Sequence, residues 1–211
     1  MRSIFSAANS GLPAPTQMIW LPGAYHLARD FEQEGFTHAV KQRRKPIDLR
    51  FVDLEMQHLN DHEALERLHS EIIAPARASG ASIWLAGISL GGLIALDYAS
   101  SHLDEIDGLC LLAPYLGNRM LINEIAASGL AAWEPGDLAE SDAERRIWRY
   151  IKTRMDSRPL FLGYGQGDRF SRAHDLLAAA LPAGSVDVVA GGHEWRTWTR
   201  LWENFLDSHF T

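Results

Sequence analysis

The sequence predicts an α/β fold: a parallel sheet with helices on both faces, doubly wound. Three observations carry that expectation. Six short apolar runs recur along the chain. Each is bounded by Gly, Pro or polar residues, as strands buried on both faces require. Amphipathic or Leu/Ala-rich stretches separate most of them, and a strand–helix–strand rhythm implies parallel pairing through right-handed crossovers. Composition suits a packed core, with 46% of the 211 residues hydrophobic and 22% charged. That balance excludes a disordered chain or a collagen-like repeat. On a prior of roughly 150 residues per domain, residues 1–211 fit one domain.

The elements follow in chain order. Met18-Ile19-Trp20-Leu21 is the first strand and Ile47 to Val52 the second. Ser82 to Ala86 is the third, Gly108 to Ala113 the fourth, Leu160 to Tyr164 the fifth and Val186 to Val189 the sixth. Asp61 to Ala78 sets Leu65, Leu68, Ile72 and Ile73 on one helical face, with Pro75 expected to end or kink it. Leu90 to Ser100 is a Leu/Ala-rich helix, and Ser171 to Leu181 is a helix stopped by Pro182. Trp195, Trp198, Trp202 and Phe205 recur at helical spacing near the C-terminus. They read as a helix packed on the sheet rather than a stacking platform.

Tyr115 to Arg158 is longer than a crossover needs. It reads as an insertion, 115–158, of two helical pieces, Asn118 to Ala132 and Ser141 to Met155, joined by a turn at Glu134-Pro135-Gly136. Met120, Leu121, Ile125, Leu130, Trp133, Trp148 and Tyr150 give it an apolar side. The pair either covers a sheet edge or forms a lid over the strand ends. Position favours the lid, because the carboxyl ends of parallel strands are where ligands bind.

Charge and composition exclude several roles. A net charge of -7 argues against nucleic acid as partner, and the basic run Lys41 to Lys45 is too short to reverse that. The single cysteine, Cys110, rules out an internal disulfide framework. No run approaches the roughly 20 apolar residues of a membrane helix. Residues Met1 to Thr16 lack the apolar stretch of a secretory signal. Together these lead to the expectation of a cytoplasmic protein.

Chemistry concentrates at Gly87-Ile88-Ser89-Leu90-Gly91-Gly92, between the third strand and the following helix. A G-x-S-x-G pattern in that context is a nucleophile elbow. The turn is tight enough to strain Ser89, and side chains two positions before and after it collide, so both are glycine. The helix start points at the serine hydroxyl. Its first amide, Leu90, has no partner in its own helix and suits an oxyanion. The plainer alternative is a Gly-rich turn without chemistry.

A serine hydroxyl needs a base, and nine histidines compete. His193 lies in Ala190-Gly191-Gly192-His193-Glu194-Trp195, after the last strand, at the sheet edge that Ser89 occupies. His174 is the rival, six residues from Asp168, on a helix expected to lead away from the strand ends. His26 follows the first strand, where it can line the mouth. His58, His62 and His69 fall on or before the helix that leads to the third strand and read as solvent-facing. His58 and His62 have metal-ligand spacing, but no Glu or Cys arrangement joins them. His38, His102 and His209 lack a loop context.

The orienting acid is Asp168, which ends the Gly163-Tyr164-Gly165-Gln166-Gly167 run after the fifth strand. The loop after the fourth strand, Pro114 to Asn118, has no carboxylate. Asp168 also suits a helix N-cap. The glycine run imitates a dinucleotide loop with the wrong spacing. The second oxyanion donor is expected in Pro22-Gly23-Ala24-Tyr25-His26, where Gly23 lets the backbone bend. Ala24 is the first choice and Tyr25 the second; an ordinary strand-ending turn is the alternative.

With these residues, the chain over about 17–208 resembles an α/β-hydrolase. Gly191-Gly192-His193-Glu194-Trp195-Arg196-Thr197-Trp198 is similar to the G-x-H-x-W-x-x-W stretch of esterase D-like and feruloyl-esterase-like enzymes. The resemblance implies a serine esterase acting on a small-molecule ester, with Ser89 as nucleophile, His193 as base and Asp168 as acid. It implies an acyl-enzyme intermediate and no metal or organic cofactor. This chain departs from the pattern twice. Pro22-Gly23 stands where His-Gly is usual, and Met1 to Thr16 leaves no room for the superfamily's two opening antiparallel strands. A reduced sheet of six parallel strands in the order 2-1-3-4-5-6 is therefore expected. The same residues would serve a thioesterase or acyltransferase, whereas a non-catalytic binding protein with this fold would not need all three. The apolar insertion points to an uncharged, hydrophobic acyl group.

Overall fold

Short apolar runs set the sheet, and the computed structural model places every expected one in it, although the last, Val186–Val189, is a half-exposed edge rather than a strand buried on both faces. It describes residues 1–8, 11–54, 62–136, 139, 142–154 and 157–210. Asp61, His58, Ser141 and Met155, named above, lie outside the described residues. The strands are β1 Ser3–Ser6, β2 Thr16–Leu21, β3 Ile47–Val52, β4 Ser82–Ile88, β5 Gly108–Leu112, β6 Leu160–Gly165 and β7 Val186–Val189. Their spatial order is β1-β3-β2-β4-β5-β6-β7. β2 to β7 are parallel neighbours and stand in the order expected for six. Every residue of β5 and β6 is buried.

The seventh strand corrects the expectation that Met1 to Thr16 leaves no room. β1 pairs antiparallel with β3, from Ser3 opposite Val52 to Ser6 opposite Leu49. Four residues are too few for a readable alternation. The strand exists because β3 would otherwise be an open edge. Arg50 of β3 fastens it, donating to the Ser3 hydroxyl at 3.1 Å and lying 5.1 Å from the Phe5 ring centre.

Helices cover this sheet in two groups. α1 (Ala28–Gln33) and α2 (Phe36–Gln42) join β2 to β3, too short to be read from periodicity. They pack with α9 (Trp195–His209), where Trp198, Leu201, Trp202, Phe205 and Leu206 form the buried stripe. Trp20 meets Phe36 and Trp202 edge-on at 4.9 and 5.1 Å, and the Trp202 indole donates to the Phe36 carbonyl at 3.1 Å. The second group centres on α5 (Leu90–Ser101), which lies on β2, β4 and β5 and is apolar almost all round. Its buried Asp97 accepts a two-pronged hydrogen bond from Arg146, at 3.0 and 2.8 Å.

Pro75 does not end its helix. α3 (His62–Leu68) widens into a π-helical turn at His69–Ile73, and α4 (Ala74–Ala78) continues beyond it. A wider turn accommodates a ring that carries no N–H and crowds the preceding turn. His69 is not solvent-facing as expected. It is half-buried, with Nδ1 2.8 Å from the Tyr98 hydroxyl and its ring stacked on His102.

The insertion holds α6 (Arg119–Ser128) and α7 (Ala143–Arg154). α6 is shorter than the spacing predicts, because Gly129 leaves the helix at φ 74°. Asn118 caps it, accepting from the amides of Met120 and Leu121 at 2.9 and 3.1 Å. Met120, assigned to the apolar side, is 83% exposed, while Trp133, Trp148 and Tyr150 are buried. α7 packs on α5. Its Glu144 accepts from the Tyr115 hydroxyl and the Asn118 amide, and its Trp148 donates to the Leu116 carbonyl. The loop after β5 is thereby pinned. α8 (Ser171–Ala178) follows β6. Cys110 is fully buried and burial pushes its thiol well up, so it stays protonated. Among the described residues, no helix is long and apolar enough to cross a membrane.

Candidate active site

The elbow forms as its residue types dictate. β4 runs to Ile88, α5 starts at Leu90, and Ser89 alone makes the turn at φ 52°, ψ -114°. Such a conformation costs a non-glycine residue about 1–3 kcal/mol, and surrounding bonds must hold it. The Ser89 amide donates to the Leu112 carbonyl at 3.1 Å. Its carbonyl accepts from Gly92, Leu93 and Tyr115 at 3.0, 3.3 and 2.8 Å. A Cβ on Gly87 would stand 2.2 Å from the Gly91 carbonyl oxygen. One on Gly91 would stand 2.2 Å from the Leu21 oxygen. Gly91 therefore lets the helix start press onto the end of β2, which brings the next loop to Ser89. We expect Gly91→Ala to destabilise the fold by about 3 kcal/mol, as overpacking against rigid backbone does. Denaturant titration measures this, and an unchanged midpoint would refute the clash.

His193 and Asp168 reach Ser89 from the loops after β7 and β6. Those loops touch through bare backbone: the Gly167 amide donates to the Gly191 carbonyl at 2.8 Å. A Cβ on Gly165 would lie 2.4 Å from the Gly191 oxygen. Gly165, the last residue of β6, and Gly167 just beyond it therefore serve the close approach of the two loops. His193 Nδ1 is 2.8 Å from Asp168 Oδ2, and its Nε2 is 2.9 Å from Ser89 Oγ. An ionised carboxylate only accepts, so Nδ1 carries the proton and Nε2 is left to accept from the hydroxyl. Asp168 Oδ1 accepts from the Phe170 amide at 2.8 Å, just before α8. The Asp168 side chain is fully shielded from solvent. Burial pushes its carboxyl up, but the bonds from His193 and Phe170 outweigh that and hold it below its ordinary value.

The imidazole of His193 stands edge-on to both Phe170 and Trp198, with each ring centre 5.1 Å away. Sequence spacing does not single out Phe170. Its signal is its place two residues after Asp168, readable only once the loop direction is known.

The remaining candidates sort by place. The Gly23–His26 segment forms a turn closed by the His26 amide on the Gly23 carbonyl at 3.1 Å, with Tyr25 at φ 66°. A Cβ on Gly23 would touch Ser89 Cβ at 3.5 Å. Gly23, Ala24, Tyr25 and His26 line a cleft of about 320 Å³ with Ser89, His193, Trp195 and Trp198. Ala24 and Tyr25 thus share a cleft with Ser89, Leu90 follows Ser89 at the start of α5, and the Tyr25 side chain itself is 90% exposed.

His174 is buried, with Nε2 2.9 Å from the Pro114 carbonyl oxygen, and it does not reach the hydroxyl of Ser89. Burial pushes its pKa below 6.5, against the pull of Asp168 and Pro114. His26 is lowered as well, by burial first, with the His193 charge adding to it against the pull of Asp30 and Glu34. Both must gain protons when the chain unfolds in acid. Their contribution is complete above pH 6.5 and is lost as pH falls toward the folded values. The melting temperature should therefore drop between pH 7.5 and pH 5.5, about a unit either side of an ordinary histidine pKa. His174→Gln keeps a donor for Pro114 and should flatten that drop; an equal slope in both proteins would refute it.

No protein-family model and no curated protein matches this sequence. Solved structures do match its fold. One is FphF of Staphylococcus aureus, a fluorophosphonate-binding serine hydrolase in a substrate-bound structure. It has TM-score 0.67 and 12% identity over 94% of this chain and 86% of that one. Another is Est1E of Butyrivibrio proteoclasticus, with TM-score 0.64 and 16% identity over 97% and 92%. A third is a monoacylglycerol lipase of Paleococcus ferrophilus, with TM-score 0.63 and 16% identity over 99% and 100%. The mostly parallel seven-stranded sheet, its helices and these likenesses agree: this chain has the α/β-hydrolase fold.

Proposed function

We propose that the protein is a serine hydrolase that cleaves carboxylic esters through an acyl-enzyme. The observation that carries this is the hydrogen-bonded chain Ser89–His193–Asp168, at 2.9 and 2.8 Å, assembled from three separate loops. Ser89 Oγ attacks the ester carbonyl while His193 Nε2 takes its proton. The oxyanion is met by the Leu90 amide at the start of α5 and by the Ala24 amide in the turn beside Ser89. His193 then returns the proton to the leaving alcohol. A water deprotonated by the same nitrogen attacks the acyl carbon, and Ser89 leaves as a hydroxyl again. Asp168 holds the imidazole in the required tautomer and stabilises its cationic form. Its lowered pKa supports that role, because the carboxylate stays ionised at neutral pH.

The fold neighbours support this reading. One is named for binding fluorophosphonates, another is recorded with ferulic acid bound, and a third is a monoacylglycerol lipase. The 115–158 insertion serves as a wall over the strand ends, since Tyr115 and α6 border the hollow beside His193. The test is labelling with a fluorophosphonate probe followed by peptide mapping. We expect one adduct, on Ser89. An unlabelled protein, or an adduct elsewhere, would overturn the assignment.

A further inference from the structure

We propose that the hollow beside the Ser89 cleft binds an anionic group, so that the substrate is an ester with an apolar arm ending in a carboxylate or phosphate. This rests on the reading of Ser89 as the nucleophile. The hollow has a volume of about 670 Å³ and lies where α6 faces α8. Tyr115, Ile122 and Phe170 supply apolar wall, and three arginines, Arg119, Arg169 and Arg172, are part of the lining.

The hollow adjoins the cleft that holds Ser89. Arg169 lines both the hollow and the Ser89 cleft. Phe170 stands edge-on to His193 at 5.1 Å and to Tyr115 at 5.5 Å, forming the partition between them. An arm attached to a carbonyl at Ser89 can therefore pass along Phe170 into the hollow.

Charge indicates what ends that arm. Several other arginines are met by carboxylates, among them Arg43 by Asp207, Arg145 by Glu124 and Arg146 by Asp97, at 2.7, 2.7 and 2.8 Å. Among the described residues, Arg119, Arg169 and Arg172 have no carboxylate within 4.0 Å. The Arg169 guanidinium is instead steadied 4.9 Å from the Phe170 ring centre. Three cations at one hollow repel one another, in a chain whose net charge is -7 and whose acids are available as partners. An incoming anion relieves that repulsion and meets the planar forks that suit carboxylate and phosphate. The apolar wall matches the hydrophobic arm expected from the sequence, but the arginines replace the uncharged end with a charged one.

Calorimetry on Ser89→Ala protein tests this without turnover, with octanoate, octyl phosphate and octanamide as probes. Both anions should bind about 10-fold tighter than octanamide or better, as charge-assisted hydrogen bonds allow. The preference should shrink as salt rises, because the guanidinium groups are exposed. Arg119→Gln/Arg172→Gln, checked for an unchanged melting temperature, should bring the anion-to-amide ratio to within about 3-fold of one, the loss expected for two such contacts. Tighter octyl phosphate identifies a phosphate arm, and tighter octanoate a carboxylate arm. Equal affinity for anion and amide, or a preference that survives the double substitution, would overturn the proposal. Anion binding by a protein that hydrolyses no ester would overturn the reaction and keep the site. Hydrolysis of neutral esters without anion preference would do the reverse.

Discussion

Ser89→Ala is expected to lower kcat for a short p-nitrophenyl ester on the order of 10⁶-fold, the scale on which loss of a hydrolase nucleophile acts. The expectation follows from the elbow. Ser89 is 9% exposed, held at φ 52° by four backbone hydrogen bonds, and its hydroxyl has His193 Nε2 at 2.9 Å. Among the described residues, Ser89 Oγ is the hydroxyl hydrogen-bonded to His193 Nε2, so removing it removes the attack itself. The amides of Leu90 and Ala24 remain, and with substrate binding they should leave a residue of about 10³-fold over water. His193→Ala should cost a similar factor, and the double variant little more, because nucleophile and base act as one unit. Steady-state kinetics of the three variants provide the measurement. Activity within about a tenth of wild type in Ser89→Ala, against the 10⁶-fold expected, would refute the mechanism.

Asp168→Asn is expected to cost about 10⁴-fold in kcat with the fold preserved. The substituted side chain is nearly the same size, and its carbonyl oxygen can still accept from the Phe170 amide, now at 2.8 Å. Its NH₂, however, faces His193 Nδ1 as a donor where an acceptor stood at 2.8 Å. The imidazole then holds its proton on Nε2, the atom that must receive the serine proton. The charge that stabilised the imidazolium is also gone. Kinetics beside a melting curve separate this from misfolding: turnover should collapse while the melting temperature moves little. Loss of both together would reduce Asp168 to a structural residue.

How much of this was legible in the sequence depends on how local each cause is. β2 to β6 were readable because burial on both faces forces continuous apolar runs, and β7, a half-exposed edge, because its valines favour a strand. β1 was not, being a four-residue edge held by Arg50 and by the need to close β3. α1 and α2 escaped because six and seven residues carry too little period. The expected break at Pro75 became a π-helical turn, since packing of Ile72 and Ile73 into the core favours continuing the helix over ending it. The fold's departure from the expected reduced sheet is confined to that one added edge.

For the site, the residue types of Ser89, Asp168 and His193 and their places after β4, β6 and β7 followed from the sequence alone. A G-x-S-x-G turn and a loop at a strand's carboxyl end are short-range features. What the tertiary structure decided is which groups share a volume: that Gly91 rests on Leu21, that the glycine run crosses Gly191, that Phe170 flanks His193, and that Arg119, Arg169 and Arg172 meet at one hollow. These contacts join residues from different loops, and linear spacing carries no distance between loops. Strand identity is fixed by solvation of neighbouring residues along the chain. Convergence of side chains depends on sheet twist, crossover length and packing, which act between segments and leave no local mark.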